Sequence, residues 1–199
     1  MTLAFFDELN HLVQSVGETE GIKGMVISGN GRHFSSGTDL QGILNEIEQK
    51  AISDDSNRPV HVPDFLLKNY SSLRIIEQLS IPVVAAIRGA CLGSAMELAL
   101  FSHFRFCSED AVFGLPESTF NLIPGLGGIL KVSHLSGKAK TMELILGGNT
   151  FPASDALKFK LVDKILPKKE LISKSIFFAR SVSSGYRKEK RKLYLKNFF

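Results

Sequence analysis

Apolar residues along the chain alternate between a helical spacing and short buried runs. Near the amino terminus they recur every three or four residues and stop at Gly17, which predicts an amphipathic helix over residues 3–16. Two glycine-bounded runs rich in β-branched residues, 24–29 and 81–89, predict buried strands. Because residues 70–79 return to the helical spacing just before the second strand, the pattern predicts strands and helices in alternation.

The second half of the chain is predominantly helical. Residues 103–118 alternate like one or two short strands, and 123–128 (IPGLGG) predicts a turn that enters a helix. Helical spacings follow over residues 131–135, 139–146, 154–160 and 169–181. Together the elements favour an α/β fold with largely parallel strand pairing. We predict one fold unit with a core over residues 1–134 and a helical carboxyl-terminal region over 135–199. The polar residues 41–62 predict a surface segment.

The net charge of +4 over 199 residues belongs to the carboxyl-terminal tail. Residues 185–199 hold six Lys or Arg and one Glu, so the tail accounts for +5 and leaves −1 for the rest of the chain. Such a run is typical of a solvated helix face, while a phosphate-binding role or a subunit contact stays open. Because the sequence shows no zinc knuckle or helix-turn-helix pattern, we expect no nucleic-acid partner.

Cysteine and histidine usage argues against a disulfide framework and a metal site. Cys91 and Cys107 stand in apolar surroundings and are predicted to be core residues of a protein in a reducing compartment, the cytoplasm or an organelle matrix. The five histidines lack metal-ligand spacing, so no metal is expected. No apolar run approaches the ~18 residues of a membrane span.

Two turns in the sequence each contain glycines that leave the following backbone amides free. In FSSGTDL, Gly37 frees the amides that follow it, and in GACLGSAMEL, Gly89 and Gly93 precede a helix that begins near Ser94. Free amides at a strand-to-helix turn bind anions, so two such turns facing each other could hold a developing oxyanion. Either turn alone is more commonly only a tight turn.

Two carboxylates lie in otherwise apolar surroundings. Glu97 comes one helical turn after Gly93, which predicts that its side chain lies beside the first-turn amides and that the helix dipole favours its ionised form. Glu117 follows Pro116 in FGLPES. Such a pair can hold a water molecule or transfer a proton, although each alone is more often a paired structural acid.

Four sequence blocks, in order, resemble the enoyl-CoA hydratase/isomerase family, the crotonase superfamily. They are GRHFSSGTDL, GACLGSAMELAL, FGLPESTFNLIPGLGG and SGKAKTMELILGGNTFPASDALKFKLVDKILP. The resemblance implies a spiral of ββα units followed by a helical region, without the usual amino-terminal hairpin and part of the carboxyl-terminal helices. It also implies an acyl-CoA thioester as partner, no cofactor besides the coenzyme A of the substrate, and a homotrimer or other homo-oligomer.

The resemblance assigns roles by position. Glu97 and Glu117 match the catalytic carboxylates, and the backbone amides of Thr38 and Ser94 match the oxyanion hole. Further positions match the substrate-binding turns: Ser36, Gly37, Gly93 and Gly125. Lys160 stands where the family usually has glycine at a helix end.

Having both carboxylates favours a hydratase, which adds water across the 2,3 double bond of an enoyl-CoA thioester. Isomerases of the family typically need only the acid at the Glu117 position, and dienoyl isomerases have a further carboxylate where this chain has Gly125. Two alternatives stay open: an enoyl-CoA isomerase, and a truncated non-catalytic subunit that binds acyl-CoA or a protein partner.

Overall fold

The computed structural model describes residues 1–39 and 64–196, with the side chains of Leu3 and of residues 187–196 left out of the description. The polar segment predicted over residues 41–62 lies outside the described residues. The helices and strands below are numbered over the described part of the chain.

Seven strands form two sheets. They are β1 (Met25–Ser28), β2 (Val83–Ile87), β3 (Ala90–Leu92), β4 (Phe104–Ser108), β5 (Val112–Gly114), β6 (Phe151–Pro152) and β7 (Lys164–Leu166). The larger sheet has the order β1-β2-β4-β7 and every neighbouring pair in it is parallel. In the smaller sheet, β5 pairs with β3 in parallel and with β6 antiparallel. The predicted α/β fold with largely parallel pairing is therefore confirmed.

The helices lie around these sheets. They are α1 (Leu3–Glu18), α2 (Asp64–Gln78), α3 (Ser94–Phe101), α4 (Gly128–Ser136), α5 (Lys138–Gly147), α6 (Ala153–Lys158) and α7 (Leu171–Lys196), with a 3₁₀-helix at Pro116–Phe120. Each predicted helix is present, but α7 is longer than expected because it continues from 181 through the basic tail to 196. The helical spacing of apolar residues fades there, which is why the sequence pattern placed its end too early.

Strand β2 separates two hydrophobic cores. Its five residues are all buried, as in a strand covered on both faces. Because side chains alternate along a strand, Val83, Ala85 and Ile87 join the main core, whereas Val84 and Ala86 face a smaller core under α7. This two-sided burial explains why the sequence shows an uninterrupted apolar run.

Helix α3 is the interior helix of the fold. All eight of its residues are buried, including the polar Ser94 and Glu97. A helix that is apolar on every side lies inside a protein rather than on its surface. It contacts α2, α4 and β3, so the turn at its amino terminus is fixed from several directions.

The structure also bears on the cysteines, on membrane-spanning helices and on metal sites. Cys91 and Cys107 are buried free thiols, which confirms their placement in the core. Over the part of the chain that the structure describes, no helix is both long and apolar enough to cross a membrane. Within the same residues, no cluster of three or more His, Cys, Asp or Glu side chains could hold a metal ion.

Lys160 ends α6 in a left-handed conformation, with φ +63°. Its amide donates to the Leu157 carbonyl at 3.0 Å and the Leu161 amide donates to the Ala156 carbonyl at 2.9 Å. This pair of bonds is the Schellman motif, in which glycine is the preferred residue at the left-handed position. The lysine therefore carries a conformational cost that a glycine would avoid.

We predict that Lys160→Gly raises the free energy of unfolding by about 1 kcal/mol, since the glycine removes the strain of a Cβ atom at positive φ. Chemical denaturation measures the change. The control is Lys160→Ala, which removes the charged side chain but keeps the Cβ atom and should leave stability nearly unchanged. Equal stabilisation by both variants would attribute the effect to the side chain and contradict the prediction.

Candidate active site

The turn between β3 and α3 presents a free backbone amide. Gly93 adopts φ 54° and ψ −129°, and its own amide donates to the Gly114 carbonyl at 2.9 Å. The first hydrogen bond within α3 runs from the Glu97 amide to the Gly93 carbonyl at 3.0 Å. The Ser94 amide, at the first position of the helix, therefore has no carbonyl partner within the helix.

The Gly37 loop lies directly against this turn. Ser35 forms an isolated parallel bridge with Cys91, and the Leu92 amide donates to the Ser35 carbonyl at 3.2 Å. Gly37 has φ +98°, and a Cβ atom there would lie 2.8 Å from the Leu92 carbonyl oxygen. Only glycine permits so close an approach of the two backbones.

The approach of the two turns brings Thr38 to Ser94. The Thr38 hydroxyl donates to the Ser94 Oγ at 2.5 Å, although the two residues are 56 positions apart in the chain. The two glycine turns are therefore in contact, which is the arrangement that a shared oxyanion site would need.

A cavity of about 420 Å³ opens beside these turns. All eight site residues predicted from the sequence line it: Ser36, Gly37, Thr38, Gly93, Ser94, Glu97, Glu117 and Gly125. Much of the remaining wall is apolar, with Phe6, Phe65, Leu66, Leu92, Leu122 and Leu126 among its residues. Among the described residues that line the cavity there is no Lys, Arg or His.

Glu97 is held by the loop that enters α4. The side chain is 1 % exposed, and its Oε1 accepts from the Leu126 amide at 2.9 Å and from the Gly128 amide at 2.8 Å. The amide partners thus come from a loop about 30 residues away in the chain. The expectation that Glu97 lies beside the first-turn amides of its own helix is corrected accordingly.

Burial dominates the titration of Glu97. The pKa of Glu97 is raised to about 7, chiefly by removal from water; the amide of Gly128 lowers it, the nearby charge of Glu117 raises it, and the amide of Leu126 lowers it. The expectation that the ionised form is favoured is therefore wrong. The raised pKa favours the protonated form, because desolvation in the interior is the largest effect.

Gly128 makes the position of Glu97 possible. A Cβ atom at Gly128 would lie 2.8 Å from Glu97 Cγ and 2.9 Å from Glu97 Oε1. Sequence reasoning treated IPGLGG only as a turn and missed its amides as partners of Glu97. The signal was present, since glycines before a helix leave free amides here as they do at Gly93.

Glu117 enters the cavity from the 3₁₀-helix that follows Pro116. Partial burial raises its pKa. Its Oε2 is buried and has no hydrogen-bond partner among the described residues. A Cβ atom on Gly93 would lie 3.2 Å from Glu117 Oε1, which places this carboxylate against the turn that opens α3.

Burial raises the pKa of both carboxylates, and the charge of Glu117 also raises that of Glu97. One carboxylate of such a pair can be ionised while the other stays protonated. Such a pair can accept a proton from one group and donate a proton to another within one cavity.

The free energy of unfolding of Glu97→Gln, relative to that of the wild type, should rise with pH. The folded state holds the Glu97 proton more tightly than the unfolded state because the folded pKa of about 7 exceeds the ordinary glutamate pKa of 4.5. The stability of the wild-type protein relative to the variant is therefore greatest below about pH 4.5 and falls as pH rises through 7, by about 3 kcal/mol in total.

Chemical denaturation of both proteins across this pH range measures the difference. The matched control is Glu8→Gln on the exposed face of α1, which should change the free energy of unfolding by less than about 0.5 kcal/mol at every pH. A stability difference between wild type and Glu97→Gln that stays constant with pH would contradict the raised pKa.

Comparison with known proteins gives the family. A family model described as enoyl-CoA hydratase/isomerase matches residues 1–194. The chain is 34 % identical over 189 residues to the fatty acid oxidation complex subunit alpha of Shewanella loihica, covering 94 % of this chain and 25 % of that protein. It is 33 % identical to a probable mitochondrial enoyl-CoA hydratase of Dictyostelium discoideum, covering 89 % of this chain and 59 % of the relative.

A third relative bears the name of a different reaction. The peroxisomal Delta(3,5)-Delta(2,4)-dienoyl-CoA isomerase of Arabidopsis thaliana is 30 % identical, with 88 % of this chain and 64 % of that protein covered. The chain thus spans between a quarter and just under two thirds of the length of these relatives.

The fold agrees with solved structures. An enoyl-CoA hydratase from Bacillus anthracis superposes with a TM-score of 0.85 at 29 % identity, covering 98 % of this chain and 73 % of the other. The crotonase-like fold expected from the resemblance is therefore confirmed. The family model spans nearly the whole chain, so the chain belongs to the enoyl-CoA hydratase/isomerase family.

Proposed function

We propose that this chain hydrates a 2-enoyl-CoA thioester, adding water across its 2,3 double bond. The observation that carries the proposal is the presence of Glu97 and Glu117 in one cavity, beside the paired turns of Thr38 and Ser94. The reaction uses no cofactor besides the coenzyme A of the substrate.

The backbone amides of Thr38 and Ser94 receive the thioester oxygen in this proposal. Attack at the β-carbon moves electrons toward that oxygen, so negative charge develops there as the enolate forms. Donors already aimed at this position stabilise the charge without reorganising, and each is typically worth ~2.7–4 kcal/mol of transition-state stabilisation. The Ser94 amide suits this role because it has no carbonyl partner within its own helix.

The two carboxylates handle the protons. Water lies between them, and one carboxylate accepts a proton from the water as its oxygen bonds to the β-carbon. The other carboxylate, in its protonated form, delivers a proton to the α-carbon. The pair then holds the same number of protons as before, with their positions exchanged, and exchange with bulk water restores the starting state. Acid-base catalysis of this kind contributes about 10²–10⁴-fold.

An isomerase is the second candidate, supported by the description of the family as enoyl-CoA hydratase/isomerase. Moving a double bond needs one group that takes a proton from one carbon and returns it to another, with no water, and Glu117 alone would suffice. A hydratase explains why a second carboxylate, Glu97, lies in the same cavity at 1 % exposure, where burial opposes its charge. A non-catalytic subunit gives this costly group no role.

We expect Glu97→Gln and Glu117→Gln each to lower the rate of enoyl-CoA hydration by at least about 100-fold, because each amide can neither accept nor deliver the required proton. Loss of the enoyl-thioester absorbance of a short 2-enoyl-CoA measures the rate. The control, Glu143→Gln, changes an exposed glutamate on α5 and should leave the rate unchanged.

The pattern across the two variants separates the candidates. An isomerase retains its activity toward a 3-enoyl-CoA when Glu97 is changed and loses it when Glu117 is changed. Wild-type protein that binds acyl-CoA but turns over neither substrate would contradict the proposal and favour the non-catalytic subunit.

Ser94→Pro tests the amide donor itself. Proline lacks the N–H but is tolerated at the first position of a helix, so we expect the fold to persist while kcat falls by about 10²–10³. The control, Ser94→Ala, keeps the amide and loses only the hydroxyl that pairs with Thr38, so its kcat should change by less than tenfold. Circular dichroism verifies folding, and a folded Ser94→Pro variant with wild-type kcat would exclude this amide as an oxyanion donor.

A further inference from the structure

Asn69 is a buried polar residue in the cavity wall for which the proposed hydration has no use. The side chain is 4 % exposed and lies on α2, one turn after Phe65, which also lines the cavity. None of the hydrogen bonds formed within residues 1–39 and 64–196 involves its carboxamide. Asn69 thus brings two N–H donors and one carbonyl acceptor to the cavity.

The carboxamide of Asn69 is open to the cavity. Phe65 and Leu66 precede it on the cavity wall, and Leu73, one turn later, is fully buried. Among the described residues, the buried side-chain atoms that lack a partner do not include those of Asn69. A ligand in the cavity can therefore reach this amide, and a polar group of that ligand would take the place of water there.

The charges in the cavity restrict what could pair with Asn69. Glu97 and Glu117 face the same space, and no Lys, Arg or His is found among the described residues of the lining. A third carboxylate, brought by the acyl chain of a substrate, would be repelled by the pair. The two carboxylates therefore favour a polar but uncharged group beside Asn69.

We propose that Asn69 selects an acyl chain that carries a neutral oxygen function, a hydroxyl or a carbonyl, along its length. The carboxamide N–H donates to that oxygen, while Leu66 and Phe65 pack against the adjoining carbon atoms. The proposal rests on the proposed function, since it places the acyl chain of the enoyl-CoA in this cavity. A site that hydrogen-bonds a substrate oxygen discriminates against the analogue that lacks it, because the protein group is then left unpaired.

The test compares enoyl-CoA substrates of one chain length, unsubstituted or carrying a hydroxyl or an oxo group at successive carbons. Wild-type protein should show a kcat/KM at least about tenfold higher for one oxygenated member than for the unsubstituted chain. Asn69→Leu should lower kcat/KM for that member by about tenfold and raise it for the unsubstituted chain. The hydroxyl and oxo series show which oxygen function is preferred, and an acyl chain ending in a carboxylate should be the poorest substrate.

Two measurements distinguish an effect on acyl-chain selection from misfolding of the variant and from failure of the proposed function. Asn69→Leu should stay folded, since the substitution replaces one cavity-lining side chain with another of similar size, and circular dichroism verifies this. If neither protein turns over any substrate, hydration is wrong, and calorimetric binding of the saturated acyl-CoA series to both proteins decides the question about Asn69. Tighter binding of an oxygenated chain to the wild type, lost in Asn69→Leu, supports the selection. Equal effects of the substitution on oxygenated and plain chains, in turnover or in binding, overturn it.

Discussion

Two hydrogen bonds to a single carboxylate oxygen fix the geometry on which the rest of the cavity depends. Glu97 Oε1 accepts from Leu126 and Gly128, which connects the interior helix α3 to the loop that leads into α4. Without these donors the carboxylate would be buried with no compensation, and it would either take up a proton or turn out of the cavity. The loop is held to α3 by the same contact, so the position of the Glu97 carboxylate and the local packing depend on the same two hydrogen bonds.

The glycines of the loop follow from that constraint. Gly128 leaves room for the Glu97 side chain, and Gly127, at φ +92°, would bring a Cβ atom to 2.9 Å from the Tyr70 ring and 3.1 Å from the Phe101 ring. The backbone must pass between a carboxylate on one side and two aromatic rings on the other. A chain with side chains at these two positions could not place the amides within hydrogen-bonding distance of Glu97.

The sequence predicted those structural features that are determined by residues close together in the chain. Helices, the buried strand β2 and the turn before Ser94 follow from spacing and glycine placement within a few residues, and the structure has them. Strand β3, with three residues between glycines, was read only as part of a turn, since its pairing with β5 depends on residues about 20 positions away. The partners of Glu97 lie about 30 positions away and were missed for the same reason.

The pKa of Glu97 likewise could not be predicted from the residues close to it in the chain. The local pattern predicts stabilisation of its charge by the helix end, whereas burial, which only the packed structure reveals, is the largest influence on its pKa and raises it. All eight site residues singled out from the sequence line one cavity, because the resemblance supplied long-range information that periodicity lacks. The sequence did not single out Asn69, whose position on α2 reads as an ordinary polar residue until the wall around it is known.

Strand register links the two turns of the cavity. The bridge between Ser35 and Cys91 sets which residue of the Gly37 loop meets the start of α3. A shift of one residue in that pairing would turn every side chain of the segment to the other face and separate Thr38 from Ser94. The Gly37 contact with the Leu92 carbonyl resists such a shift, because only a residue without a Cβ atom fits there. Thr38 and Ser94, from distant parts of the chain, are thus brought together by one short backbone pairing and one glycine, and their hydroxyl contact depends on that backbone arrangement.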